Sequence, residues 1–185
     1  MSPQKQEIAS DQITGLGVDP PAVLADHFEA SAFVTAPVDS VFAYVDDPAQ
    51  LSAHMGKSSW MMGGGRMQTE VDAGRGQTVG SRIRLRGRVF GLDFAVDEIV
   101  IERVPPQRKA WQTIGSPRLL VIGHYRMGFE IASQENGSLL RVYINYALPQ
   151  NMLARPFGLL FGRYYARWCT RQMVSNAAER FALAR

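Results

Sequence analysis

The sequence predicts an α+β domain: a curved antiparallel sheet of about six or seven strands wrapped around one long C-terminal helix, with two short helices after the first strand. Three observations predict it. Alternating apolar and polar segments separated by close turn signals fill the middle of the chain, as in an antiparallel meander. One long segment near the C-terminus repeats apolar residues every three or four positions. A curved sheet must cover its apolar face, and that helix is the available cover. At 185 residues, with 46% hydrophobic and 20% charged residues, the chain has the composition of a single globular domain with a sizeable core.

Each element has its own signal. Residues 1–26 are polar, hold Gly15, Gly17 and Pro20-Pro21, and show no sustained period, so a flexible N-terminal arm is expected before a single domain over 27–185. Phe28, Ala30, Ala32 and Val34 alternate as in a strand, which Thr35-Ala36-Pro37 ends. Asp39 or Ser40 is expected to cap a helix carrying Val41, Phe42 and Val45. Asp46-Asp47-Pro48 reads as a break and a second cap, opening a short helix through Leu51 to about Met55. Strands are then expected within 59–72 and over Gly80–Val89, Leu92–Val104, Arg108–Ile114, Leu119–Ile131 and Leu139–Leu148. Gly91, Pro105-Pro106, Gly115-Ser116-Pro117 and Glu135-Asn136-Gly137 mark the turns. The helix runs from about Asn151 or Pro156 to Ala184. Leu153, Phe157, Leu160, Phe161, Tyr164, Trp168 and Gln172 are expected on its inner face.

Several function classes drop out. No apolar run approaches the roughly 18 residues that span a bilayer. The first residues lack a basic start followed by an apolar run, so a cytoplasmic protein is expected. Cys169 is the only cysteine, and His27, His54 and His124 form no ligand pair, so no metal or other cofactor is expected. Residues 1–30 hold one lysine against five acidic residues; the remainder holds 19 basic against 12 acidic residues. That basic body is compatible with anionic partners or with simple solubility. No zinc knuckle, helix-turn-helix pattern or RNP-like aromatic motif is present, so no specific nucleic-acid partner is expected. Arg163, Arg167 and Arg171 recur at intervals of four and either meet an anionic lipid surface or solvate the helix.

The stretch Val34-Thr35-Ala36-Pro37-Val38-Asp39-Ser40-Val41-Phe42-Ala43-Tyr44-Val45, followed by Asp46-Asp47-Pro48, resembles the strand–Ala-Pro–helix opening of the START-related helix-grip (SRPBCC) superfamily. Glu102-Arg103-Val104-Pro105-Pro106-Gln107-Arg108 resembles its strand-end Pro-Pro turn. The resemblance spans about Phe28 to Phe181 and rests on structural motifs. It implies a helix-grip fold of the polyketide cyclase/dehydrase and lipid-transport kind, a fold that hosts carriers, enzymes and regulators alike.

Strand parity nominates the residues that face an interior. Tyr125, Met127 and Phe129 share one parity, as do Tyr146 and its neighbours Val142 and Ile144. His124 and Arg126 fall on the other face. Glu98 shares parity with Phe94, Val96 and Val100. An inward carboxylate there would need a partner or a raised pKa and would suit acid–base work; a bulge in the same strand would turn it outward. Arg82, Arg84, Arg86 and Arg88 form one face, either an anion-binding strip or an outer face with Arg88 opposite Asp93 and Arg84 opposite Asp97. Trp60, Met61, Met62 and Met67 flank Gly63-Gly64-Gly65, either as an adaptable lid or as core filling around a loop, with His54 nearby as a polar contact or second acid–base candidate. On the helix, Tyr164, Tyr165 and Trp168 combine apolar bodies with polar tips, while Cys169 has no recognisable nucleophile setting.

The leading expectation is binding or transport of a small hydrophobic molecule (a lipid, quinone or polyketide-like compound) in an internal cavity. Its expected walls are Phe94, Val96, Tyr125, Met127, Phe129, Tyr146, Phe161, Tyr164 and Trp168, with Trp60, Met62 and Met67 at the mouth. The alternatives are an aromatase, cyclase or dehydratase using Glu98, a tyrosine or His54, and a regulatory interaction module with no bound ligand.

Overall fold

A computed structural model describes residues 6–7, 23–52, 67–89, 92–150 and 154–183. Eleven elements occur among them: β1 (Gln6–Glu7), β2 (Asp26–Val34), α1 (Val38–Val45), α2 (Pro48–Leu51), β3 (Met67–Val71), β4 (Arg82–Val89), β5 (Leu92–Val104), β6 (Arg108–Arg118), β7 (Tyr125–Gln134), β8 (Gly137–Tyr146) and α3 (Arg155–Ala182). Seven strands form one antiparallel sheet in the order β2-β8-β7-β6-β5-β4-β3, and β1 pairs Gln6 with Arg103 beside the end of β5. Strand β2 therefore pairs with the last strand, β8, while β3 forms the opposite edge. This is the helix-grip architecture expected from the sequence.

Alternation drives the sheet. In β8, Leu140, Val142, Ile144 and Tyr146 are buried while their neighbours are part-exposed, the pattern of a strand with one covered face. In β7, Tyr125, Met127, Phe129 and Ile131 are buried. Phe129 is completely buried, against Phe42 of α1 at a ring-centroid distance of 5.7 Å. Burial of such a side chain contributes about 2–3 kcal/mol. The turn between β7 and β8 places Asn136 at φ 64°, the left-handed conformation that Asn-Gly turns supply.

Helix α1 starts after Pro37 with no side-chain cap; Asp39 sits in its first turn instead. Asp47 does cap α2, accepting from the Ala49 amide at 2.9 Å. Leu119 to His124 is not strand, and β7 begins only at Tyr125. Beyond Gln112, β6 pairs with β5 but no longer with β7. Gly115 at φ 63° and the following Ser116-Pro117 accompany a register shift against β5 there.

The aromatic face expected on the long helix points the wrong way. Gly158, Gly162, Ala166, Cys169, Thr170, Met173, Val174 and Ala177 are buried, whereas Phe161 and Tyr164 are exposed and Trp168 is only part-buried. The cause is close approach. A Cβ on Gly162 would lie 2.9 Å from the Val121 carbonyl oxygen, and one on Gly158 would lie 2.5 Å from Pro149 Cδ. Small residues let the helix backbone sit against the β6–β7 connection, and that contact rotates the large aromatics outward.

Candidate functional site

The interior between the sheet and α3 holds a partly open cavity of about 60 Å³. Such a space accommodates a few water molecules. Strands β4 to β8 supply Leu85, Phe94, Trp111, Met127 and Ile144 to its wall. Helix α3 supplies Tyr165, Cys169 and Met173, while Leu119 and Ile122 close it from the β6–β7 connection. Pro48, Leu51 and Ser52 of the α2 region and Thr69 of β3 complete it.

Glu98 and Lys109 are the two charged groups in this mainly apolar wall. Glu98 is 4% exposed and faces the cavity with Phe94. The register of β5 against β6 shifts on both sides of Glu98: between Ala95 and Asp97 the extra residues lie in β6, and between Val100 and Glu102 the extra residue lies in β5, beyond Glu98, so the alternation that turns Glu98 inward is intact. The Tyr125 hydroxyl donates to Glu98 Oε1. Burial raises the Glu98 carboxyl to about 7, and the hydrogen bonds from Tyr125 and Trp111, with the positive charge of Lys109, oppose that rise. The Tyr125 phenol is pushed well up by burial, and by the adjacent Glu98 charge. A carboxyl held between its two protonation states near neutrality can donate or accept a proton.

A second polar group lies beside it. Lys109 is 2% exposed and Asp46 3% exposed. The Lys109 ammonium donates to the Asp46 carbonyl at 2.6 Å and reaches its carboxylate Oδ1 at 2.9 Å. Arg103 joins them, with Nη2 at 2.8 Å from Asp46 Oδ2 and its guanidinium over the Phe42 ring. The β5 bulge makes this arrangement: Ile101 packs with Ile99 and Ala110 in a separate cluster on the other face, Glu102 pairs with Arg108 at 2.7 Å, and Arg103 returns to the interior. Burial lowers the Lys109 pKa, and the Asp46 charge and hydrogen bond oppose it.

Of the sequence-nominated residues, Phe94, Glu98, Tyr125 and Met127 meet on the cavity wall. Met67, Val96, Phe129 and Tyr146 are buried core residues away from it. Phe161, Tyr164 and Trp168 do not line it. His54, Trp60, Met61, Met62 and the Gly63 to Gly65 run lie outside the described residues. His124 immediately precedes β7, with Nδ1 3.3 Å from Thr113 Oγ1. The arginines of β4 form an outer face, with Arg84 at 3.5 Å and Arg86 at 2.8 Å from Asp97, and Arg88 at 3.3 Å from Asp93. Lys109 and Trp111 went unnominated, although they share a parity in β6 that the single large apolar Trp111 would have assigned inward. Cys169 is buried, and burial raises its thiol to about 12, so it remains a neutral wall group. Among the described residues no group of three or more His, Cys, Asp or Glu is placed to hold a metal ion, and no helix is long and apolar enough to cross a membrane.

Comparison with solved structures supports the same architecture. A protein from Chromobacterium violaceum (CV1439) shares 18% identity at a TM-score of 0.56, the match covering 84% of this chain and 96% of that one. Ara h 8.0201 shares 13% identity at 0.56, over 86% and 99% of the two chains. One half of the di-domain ARO/CYC protein BexL, from the BE-7585A biosynthetic pathway, matches at 0.61 with 15% identity, over 84% of this chain and 50% of that one. At these identities the likeness establishes the fold alone. A search of the curated proteins found no match. The family description "Polyketide cyclase / dehydrase and lipid transport" matches residues 25–182, nearly the whole of the described fold, and the chain belongs to that family.

Proposed function

We propose that the protein binds a small, mainly hydrophobic molecule bearing one polar group, with the apolar wall supplying affinity and the Glu98–Tyr125 pair orienting the polar end. The observation that carries this is a buried carboxyl, paired with a tyrosine hydroxyl, on the wall of a mainly apolar cavity. A structural carboxyl at that position would be costly, because a core of the same shape without it avoids the desolvation. Family membership supports a hydrophobic ligand of lipid or polyketide kind. A cavity of about 60 Å³ admits such a ligand only when side chains shift, and the unbranched Met127 and Met173 are the wall residues best able to do so.

The test is native mass spectrometry of gently purified protein, followed by titration with anilinonaphthalene sulfonate. The wild type should carry a hydrophobic adduct or bind the dye in the cavity. Ile122→Trp, which fills the wall, should lose both. A wild type that is reproducibly empty and binds dye no better than the filled variant would overturn the proposal.

A second reading is favoured by the Glu98 carboxyl lying near 7. In it, Glu98 relays a proton during cyclisation or dehydration of a poly-carbonyl ligand. Glu98→Gln would then abolish turnover while ligand binding persists; unchanged turnover would remove Glu98 from the mechanism.

A further inference from the structure

The first half of α3 carries an apolar surface that the cavity does not use. Phe157, Leu159, Leu160, Phe161 and Tyr164 are all half or more exposed, and Leu160 is 74% exposed. The β6–β7 connection extends the patch: Leu120 is exposed there, and the neighbouring Val121 carbonyl abuts Gly158 and Gly162 of the helix. A soluble fold gains nothing from collecting five large apolar side chains on one exposed helix end.

The charge along this stretch of the helix has a single sign. No acidic residue occurs in α3 before Glu179, whereas Arg155, Arg163, Arg167 and Arg171 are all exposed. Among the described residues, no carboxylate forms an ion pair with any of the four. Along the helix axis Arg155 precedes the apolar cluster, Arg163 lies within it, and Arg167 and Arg171 lie beyond it. At 1.5 Å rise per residue, Arg167 stands about 10 Å beyond Leu160. That spacing matches an apolar tip entering the acyl boundary by roughly 5–10 Å while guanidinium groups stay at the phosphate layer. A second copy of the chain fits poorly, since a two-fold pairing of this patch would bring its arginine rims together.

We infer that the N-terminal half of α3, with Leu120, docks the protein onto an anionic lipid bilayer. Leu159, Leu160 and Phe161 enter the acyl boundary, and Arg163 and Arg167 face the phosphates. The arginine stripe seen in the sequence is half of the device; the outward rotation of the aromatics supplies the other half.

The experiment is vesicle flotation of the full chain. Phosphatidylcholine vesicles are compared with vesicles containing about one-third phosphatidylglycerol, at low and high salt. Binding is expected to the anionic vesicles and to weaken with salt. Leu160→Asp with Phe161→Asp, and separately Arg163→Glu with Arg167→Glu, should each lower the partition coefficient by about tenfold or more. All four positions are exposed, so circular dichroism and the urea midpoint should stay unchanged and certify the fold of the variants. Absence of binding to anionic vesicles, equal binding to neutral ones, or binding untouched by either pair overturns the inference. A dimer seen by light scattering that Leu160→Asp with Phe161→Asp dissolves would instead assign the patch to a second copy. The assay needs no cavity ligand, so its failure leaves the ligand-binding proposal standing.

Discussion

Replacing Glu98 by Gln should change how the protein's stability depends on pH. The folded-state carboxyl lies at about 7 because burial disfavours its charged form, against an ordinary value of 4.5. The folded state therefore holds this proton more tightly than the unfolded state. Its contribution is complete below the ordinary carboxyl range, is lost as pH rises toward 7, and is constant above that. At 1.36 kcal/mol per pH unit, the loss between pH 5 and pH 8 comes to about 2–3 kcal/mol. Glutamine keeps the shape, accepts from Tyr125 as the carboxyl does, and does not titrate. Urea unfolding of wild type and Glu98→Gln at pH 5 and pH 8 isolates the effect, because titrating groups not coupled to Glu98 cancel in the difference. The stability of wild type relative to the variant should fall by about 2–3 kcal/mol over that interval. A change below about 1 kcal/mol, or one of opposite sign, would mean that the Glu98 carboxyl is not held up by its surroundings and would refute the reasoning.

Tyr125→Phe removes the donor that lowers Glu98, so the Glu98 carboxyl should titrate at higher pH in carbon-detected NMR, with a stability loss of about 1–3 kcal/mol. Asp46→Ala leaves the Lys109 ammonium buried without its carboxylate and should cost about 3–5 kcal/mol by denaturant unfolding; adding Lys109→Met should recover a large part of that. Gly162→Ala should destabilise by about 1–3 kcal/mol, although alanine is the better helix former by about 1 kcal/mol, because the new methyl meets the Val121 carbonyl oxygen. A neutral or higher thermal midpoint for Gly162→Ala would show that α3 can slide away from the β6–β7 connection.

Much of this architecture was legible in the chain. Period-two alternation assigned the inward faces of β7 and β8 correctly, and the Asp93 and Asp97 positions paired the β4 arginines across the turn. Glu98 was legible for the same reason, since three apolar residues of its parity flank it in β5. What alternation lacks is any account of a backbone approaching closely. Glycine counts for nothing in an apolar pattern, yet Gly158 and Gly162 decide the rotation of α3, and so Phe161 and Tyr164 fell on the wrong face. The Asp46, Arg103 and Lys109 group was invisible for a different reason. The register of β5 against β6 sets Arg103 beside Lys109, and the end of α1, distant in sequence, brings Asp46 to them.

The bulge in β5 has a consequence for what lengths of chain this sheet tolerates. Because Ile101 is the residue left without a partner in β6, its deletion would close the ladder and leave every other facing as it stands: Val100 inward, Glu102 outward, Arg103 inward. A deletion a few positions earlier, within Val96 to Ile99, would reverse the residues on one side of the gap and move either Glu98 or its apolar companions out of the interior. Natural variation in the length of this strand should therefore concentrate at the bulge, where losing a residue sacrifices one apolar contact on the outer face and spares the interior chemistry.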